Sequence, residues 1–255
     1  MCRFLAYLGP PVTLEALLLA PEHSLLRQSW APRHQRHGTV NADGFGVGWY
    51  DSVRRPEPAR YRTARPMWAD RSFTSLAGVV ASGAVLAAVR SATPSAPVEE
   101  SGAPPFTARQ WLFAHNGAVD GFRDTPGIEL RARVSERTRA GIEGASDAEV
   151  LFALVLDRLD AGDSMGEALL QVIETVENIT TARLNLVITD GTSLAATASG
   201  DSLFVHRGDG VVVASEPFDD DGCWLTVPER SLVAIRADDV VITPLGDKTP
   251  SGATS

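Results

Sequence analysis

The sequence predicts a layered α+β domain, on three observations. Short apolar, strand-like runs dominate both ends of the chain. Between them, Ser146-Asp147-Ala148-Glu149 and Ser164-Met165-Gly166-Glu167 are capping boxes that open two adjacent helical patterns. Asp190-Gly191 and Asp209-Gly210 are tight-turn signals of the kind that join antiparallel strands. Two sheets packed face to face, with helices outside, would bury this many apolar strands.

In chain order, Arg3 to Leu8 reads as a buried first strand, stopped by Gly9-Pro10-Pro11. Thr13 to Leu19 and Glu22 to Trp30 read as short helices, and Arg33 to Asp43 as a polar surface loop. Phe45 to Tyr50, Arg60 to Thr63, Ala84 to Val89 and Trp111 to His115 are strand candidates, with a long loop from Ser91 to Pro105. The first capped helix carries an apolar stripe of Val150, Leu151, Leu154, Val155 and Leu159; the second carries Ala168, Leu169, Val172, Ile173 and Val176. Strands then follow at Leu184 to Thr189, Ser193 to Ala198, Ser202 to His206, Val211 to Ala214, Ser231 to Ile235 and Val240 to Thr243. Residues 2–246 are expected to form one domain, and 247–255 a frayed tail.

With 44% hydrophobic and 22% charged residues the composition is globular, and a formal net charge of -9 argues against a nucleic-acid footprint. Small molecules are the expected partners, and a homo-oligomer stays open. The opening MCRFLAYLGPPVTLEALLL has one Arg and a broken apolar run, so neither a signal peptide nor a membrane span is expected. Cys2 and Cys223 are the two cysteines; a thiol needed as nucleophile would be kept reduced in the cytoplasm. Asn178-Ile179-Thr180 fits a glycosylation sequon, which without secretion reads as chance.

Cys2 is the most informative residue. Removal of Met1 would give it both a thiol and a free α-amine, with ordinary pKa values near ~8.5 and ~8, so one residue could supply nucleophile and general base. His115-Asn116-Gly117 has two readings: a hairpin turn, or an oxyanion hole in which the Asn amide and the Gly N–H donate to a tetrahedral oxygen. Arg90, ending a strand, is either a solvated rim residue or a planar fork for a substrate carboxylate. Asp147 is at least a first-turn acid that favours the helix dipole.

The glycine-dense Asn41-Ala42-Asp43-Gly44-Phe45-Gly46-Val47-Gly48-Trp49-Tyr50 runs into an aromatic strand rather than a helix, which excludes a phosphate loop and favours close backbone packing near Cys2. His34 and His37 lie in a basic loop without a local ligand set, so no metal site and no cofactor are expected. Cys223 reads as a core or near-core thiol after an acidic turn.

The ordered elements Met1-Cys2-Arg3-Phe4, Asp43-Gly44-Phe45-Gly46, Val89-Arg90-Ser91-Ala92-Thr93, His115-Asn116-Gly117 and Ser146-Asp147-Ala148-Glu149 resemble those of the class II glutamine amidotransferases, which are N-terminal nucleophile hydrolases. The resemblance covers nearly the whole chain and implies a four-layer αββα sandwich with two mainly antiparallel sheets. It implies Cys2 as nucleophile, Asn116 and Gly117 as oxyanion hole, Arg90 as clamp on a substrate α-carboxylate and Asp147 as partner of the α-ammonium. His115 is placed with the substrate-binding residues.

The opening MCRFLAYLGPP, the segment Ala42 to Tyr50 and Ala214-Ser215-Glu216-Pro217-Phe218-Asp219 look most like the amidohydrolase branch of ergothioneine biosynthesis. That branch implies γ-glutamyl-hercynylcysteine S-oxide as substrate, whereas the residues alone imply a γ-glutamyl amide. A glutaminase subunit, a hydrolase of another γ-glutamyl compound such as glutathione, and a non-catalytic binding module stay open as alternatives. The distal half of a large substrate is expected against Trp30 to His37 and Phe45 to Tyr50, with a core role for those aromatics as the plainer reading.

Overall fold

Thirteen strands, counted among the described residues, build two antiparallel sheets. The structure is a computed structural model that describes residues 2–92, 97–236 and 239–246; Met1, residues 93–96 of the Arg90 loop and the expected tail 247–255 lie outside them. The strands are β1 (Arg3–Thr13), β2 (Phe45–Trp49), β3 (Ala59–Thr63), β4 (Ala81–Val89), β5 (Phe106–Ala108), β6 (Trp111–Val119), β7 (Ala182–Thr189), β8 (Ser193–Ala198), β9 (Phe204–Arg207), β10 (Val211–Ala214), β11 (Trp224–Thr226), β12 (Ser231–Arg236) and β13 (Asp239–Pro244). One sheet has the order β11-β9-β10-β1-β4-β2-β3, the other β13-β12-β8-β7-β6-β5. The helices are α1 (Leu14–Leu18), α2 (Leu25–Gln28), α3 (Arg71–Ala77), α4 (Thr125–Arg133), α5 (Glu136–Arg139), α6 (Asp147–Asp160) and α7 (Met165–Glu177).

Side-chain alternation along the strands creates the layers. Phe4, Ala6 and Leu8 of β1 point between the sheets, where they meet Leu86 of β4, Leu112 and Ala114 of β6 and Val187 of β7. Their neighbours Leu5 and Tyr7 point the other way, onto Leu14, Leu18 and Phe73 of α1 and α3. On the second sheet, Phe113, Leu184, Leu186 and Ile188 face α6 and α7. The result is the four-layer αββα sandwich that the sequence resemblance implies. Both capping boxes form, and α6 is buried from Ala148 to Leu156 because it lies under its neighbouring helices as well as on the sheet.

Several element boundaries differ from expectation, two of them for a clear local reason. β1 does not stop at Gly9-Pro10-Pro11 but continues to Thr13, with a register shift between Leu8 and Val12. A bulge leaves the prolines exposed and without ladder duties, so their missing N–H groups cost nothing. The expected helix Glu22 to Trp30 contracts to Leu25–Gln28, capped by Ser24, whose Oγ accepts the Arg27 N–H at 3.3 Å. The helices α3, α4 and α5 and the three-residue strands β5 and β11 were not foreseen. α4 buries only Gly127 and Leu130, so it has no apolar stripe to read.

Strand register decides where the site forms. Arg3 and Phe45 both pair with Val89, so the ends of β1, β2 and β4 lie side by side. The glycines of β2 let the second sheet approach: a Cβ on Gly48 would lie 2.5 Å from Leu112 Cδ1, and one on Gly46 would lie 2.5 Å from the Pro104 carbonyl. Phe45 and Val47 point into the helix-side core, so they are unavailable to the distal half of a substrate.

Candidate active site

Cys2 stands half-buried at the start of β1, and its backbone N–H donates to Asn116 Oδ1 at 3.2 Å. This bond crosses from one sheet to the other. The Asn116 side chain is fully buried, and its Nδ2 has no hydrogen-bond partner among the described residues. A buried amide donor left free beside a thiol is what a developing oxyanion requires.

The hairpin-turn reading of His115-Asn116-Gly117 is overturned. β6 runs unbroken through these residues, with Asn116 opposite Asn185 and Gly117 opposite Leu184 of β7. The glycine serves close approach, not a turn: a Cβ there would lie 1.9 Å from the Arg183 carbonyl oxygen. That same carbonyl accepts the Nε2–H of His115 at 2.9 Å, which fixes the ring.

Arg90 is only 6% exposed, which removes the solvated-rim reading. Its main chain is held by a reciprocal pair, the Arg90 N–H to the Gly44 carbonyl at 2.8 Å and the Asp43 N–H to the Arg90 carbonyl at 2.9 Å. Its guanidinium donates to the Asp43 carbonyl at 3.4 Å and the Pro97 carbonyl at 3.1 Å. Asp43 also receives the Ala92 N–H on Oδ2 at 2.8 Å, so the Asp-Gly step before β2 is the cradle of Arg90. Gly102 lies against the guanidinium face, where a Cβ would fall 2.8 Å from Nη2. Sequence reasoning missed Asp43 and Gly102 as parts of the site; only the Asp-Gly pair gave a local signal.

Asp147 sits at the first residue of α6. Its Oδ2 accepts the Val119 N–H at the end of β6 at 3.1 Å, and its Oδ1 accepts the Ala148 N–H at 2.9 Å. The carboxylate therefore joins the helix start to the strand that carries Asn116, beyond the dipole role of any first-turn acid.

Cys2, Arg90, Ser91, His115, Gly117 and Asp147 line one cavity of about 220 Å³. Drug-sized ligands occupy clefts of roughly 300–1,000 Å³, so this cavity is a small one. The expected residues thus converge from both sheets and α6. His34 and His37 are not among its lining residues.

Away from the cavity, Cys223 is exposed rather than near-core, because β11 is an edge strand and the turn before it faces solvent. A hydrogen bond from its thiol to Asp221 holds that thiol above the usual cysteine range. His206, Asp221 and Cys223 form one surface group with the spacing of cation ligands, and Glu22, His23 and Asp220 form another.

Behind Cys2 lie charges of a different kind. Arg3 is 0% exposed, and burial pushes its guanidinium below the usual arginine range against the opposing pull of Glu216 and Asp201. Burial likewise pushes Asp201 above the usual carboxylate range, opposed first by Arg183 and then by Arg3.

Comparison with known proteins places these features in a family. The family model described as glutamine amidotransferases class-II matches residues 21–210. The chain is 44% identical over 248 residues to a gamma-glutamyl-hercynylcysteine sulfoxide hydrolase of Mycolicibacterium smegmatis, covering 96% of this chain and 100% of that one. It is 43% identical over 246 residues to the protein so named in Mycobacterium tuberculosis, covering 96% and 97%. Among solved structures, a glutamine aminotransferase class-II domain protein from Silicibacter pomeroyi superposes with a TM-score of 0.69 at 26% identity, covering 96% of this chain and 100% of the other. With its two antiparallel sheets, and with Cys2 and Asn116 meeting across them, the chain belongs to the class-II glutamine amidotransferases.

Proposed function

We propose that this protein is an amidohydrolase that cleaves the γ-glutamyl amide of γ-glutamyl-hercynylcysteine S-oxide, giving glutamate and hercynylcysteine S-oxide. The observation that carries the reading is the Cys2–Asn116 contact at the head of a cavity that also holds Arg90 and Asp147. The substrate class follows from the two relatives named above, each matched over nearly its whole length.

With Met1 removed, the Cys2 nitrogen becomes an α-amine held by Asn116 Oδ1. The amine takes the thiol proton, and Sγ attacks the γ-carbonyl to form the tetrahedral adduct. Asn116 Nδ2 and the Gly117 N–H donate to its oxygen. The ammonium returns the proton to the leaving nitrogen, the C–N bond breaks, and water then hydrolyses the γ-glutamyl thioester with the amine again as base. Arg90 pairs with the α-carboxylate of the glutamyl head and Asp147 with its α-ammonium, while His115 lines the head pocket. A reduced Cys2 is required, which fits a cytoplasmic setting. In this reading residues 2–246 act as one catalytic domain.

The test is glutamate release from γ-glutamyl-hercynylcysteine S-oxide, glutathione and glutamine under one set of conditions. The S-oxide should be turned over with the highest kcat/KM. Preference for glutamine or glutathione would replace the substrate assignment, and release from none of them would remove the enzymatic reading.

A further inference from the structure

The Ser215-Glu216 step is not used by the scheme above, yet it ties two parts of the site together. Phe4, two residues after Cys2, donates its N–H to Ser215 Oγ at 3.0 Å and accepts the Ser215 N–H on its carbonyl at 3.0 Å. Glu216, 1% exposed, turns the other way: its Oε2 accepts the N–H groups of Arg33 at 2.8 Å and His34 at 2.6 Å. Glu216 Oε1 and all three guanidinium nitrogens of Arg3 are buried without a hydrogen-bond partner among the described residues. Arg3 is a buried cation on which the Glu216 and Asp201 charges both act, without a hydrogen bond to either, and a charged acceptor binds backbone N–H groups more firmly than a neutral one.

The segment held by Glu216 comes up against one lining residue of the Cys2 cavity. It begins with Arg33 and His34, whose ring packs edge-on against Phe204 at 5.1 Å. It passes Gly38, where a Cβ would lie 4.0 Å from Oγ of Ser91, a lining residue of the Cys2 cavity. It ends at Asn41, whose Nδ2 donates to the Gln28 carbonyl at 3.0 Å. In the scheme above the cavity of about 220 Å³ takes the glutamyl head, so a large leaving group must extend past Cys2.

We propose that Glu216 is a positioning residue that locks segment 33–41 to the nucleophile strand and thereby sets selectivity for the leaving group rather than for the glutamyl head. This rests on the γ-glutamyl reading above.

The experiment measures kcat and KM on γ-glutamyl-hercynylcysteine S-oxide and on γ-glutamyl methylamide, together with hydrogen exchange in 33–41. Glu216→Gln keeps the shape and removes the charge. It should raise exchange at residues 33 and 34 at least tenfold and lower kcat/KM for the S-oxide about tenfold or more, through KM. The methylamide should stay within about threefold of wild type. Equal losses on both substrates, or raised exchange without a change in their ratio, would overturn the proposal. If Glu216→Gln fails to fold, Glu216→Asp, which keeps the charge but shortens the reach, should shift the same ratio; an unchanged ratio would overturn it equally. Wild-type protein that releases glutamate from neither compound would sink the γ-glutamyl reading and the selectivity claim with it, and the exchange data would still decide whether Glu216 holds the segment.

Discussion

At the residue scale, the chemistry turns on how few groups do several things. In the proposed scheme Cys2 supplies thiol and amine; Asn116 accepts the Cys2 N–H on Oδ1 and keeps an unpaired donor on Nδ2. The two halves of Asn116 can be separated. Asn116→Asp keeps an acceptor and loses the donor, so kcat should fall on the order of 10²–10³-fold with KM little changed. Steady-state kinetics at saturating substrate check this, and an unchanged kcat would place the oxyanion elsewhere. Cys2→Ala should abolish turnover while melting at the wild-type temperature, and Cys2→Ser should retain a trace, because a hydroxyl is the poorer nucleophile near neutral pH. Intact mass of the active wild-type protein should show one Met lost; retention of Met1 in active enzyme would end the single-residue mechanism.

At the scale of elements, the residues proposed to read the substrate head sit on a loop and a helix start that strands hold in place. Arg90 is held by the Asp43-Gly44 step and leans on Gly102. Gly102→Ala would push the free end of a flexible side chain, not backbone, so it should cost little stability. It should still raise KM roughly tenfold by displacing the clamp, a loss of about 1.4 kcal/mol in binding. A Tm within a degree or two of wild type with unchanged KM would show that the guanidinium can shift without harm. Arg90→Lys should recover only part of what Arg90→Ala loses, since an ammonium lacks the planar fork. Asp147 joins α6 to β6 through the Val119 N–H, and Asn at 147 can still accept that bond. Asp147→Asn should therefore keep Tm near wild type and lower kcat/KM; a fall in Tm alone would make Asp147 a purely structural acid.

At the scale of the whole molecule, the catalytic contact depends on the distance between two sheets. Leu112 and Leu86 fill the space between them, both 0% exposed, and Leu112 packs against Gly48 of β2. Leu112→Ala should destabilise by about 2–5 kcal/mol and also impair turnover, because the sheets carry Cys2 and Asn116 separately. The buried charges behind Cys2 give a pH signature. Burial raises the Asp201 carboxyl, so the native state holds its proton into a range where the unfolded chain has lost it. Unfolding free energy from this group is then largest at low pH and falls as pH rises through and above the ordinary carboxylate range. Asp201→Asn should flatten that part of the Tm-versus-pH curve; an identical slope in the variant would show that the ion pair with Arg183 and the charge of Arg3 offset the burial instead.

The sequence by itself determined what depends on local pattern and chemical identity. Alternating apolar strands, two capping boxes and Asp-Gly turns specify antiparallel sheets and a helical pair, because each is read within a few residues. Cys2 and the Asn116-Gly117 pair stood out by their own chemistry, whereas Arg90 and Asp147, each with an equally good ordinary reading, drew their proposed roles from the order of motifs along the chain. Only the tertiary structure decided the rest. It made Asn-Gly at 116–117 a strand interior instead of a turn, since β7 lies close enough to exclude a Cβ at 117. It carried β1 through Pro10 and Pro11 by a bulge, buried Phe45 and Val47, and exposed Cys223. It also placed the buried Arg3 within the field of Glu216, more than two hundred residues away in sequence. Local propensity has a range of one turn or one pleat, whereas close backbone approach and charge compensation are properties of distance in space, which exist only once the two sheets have packed.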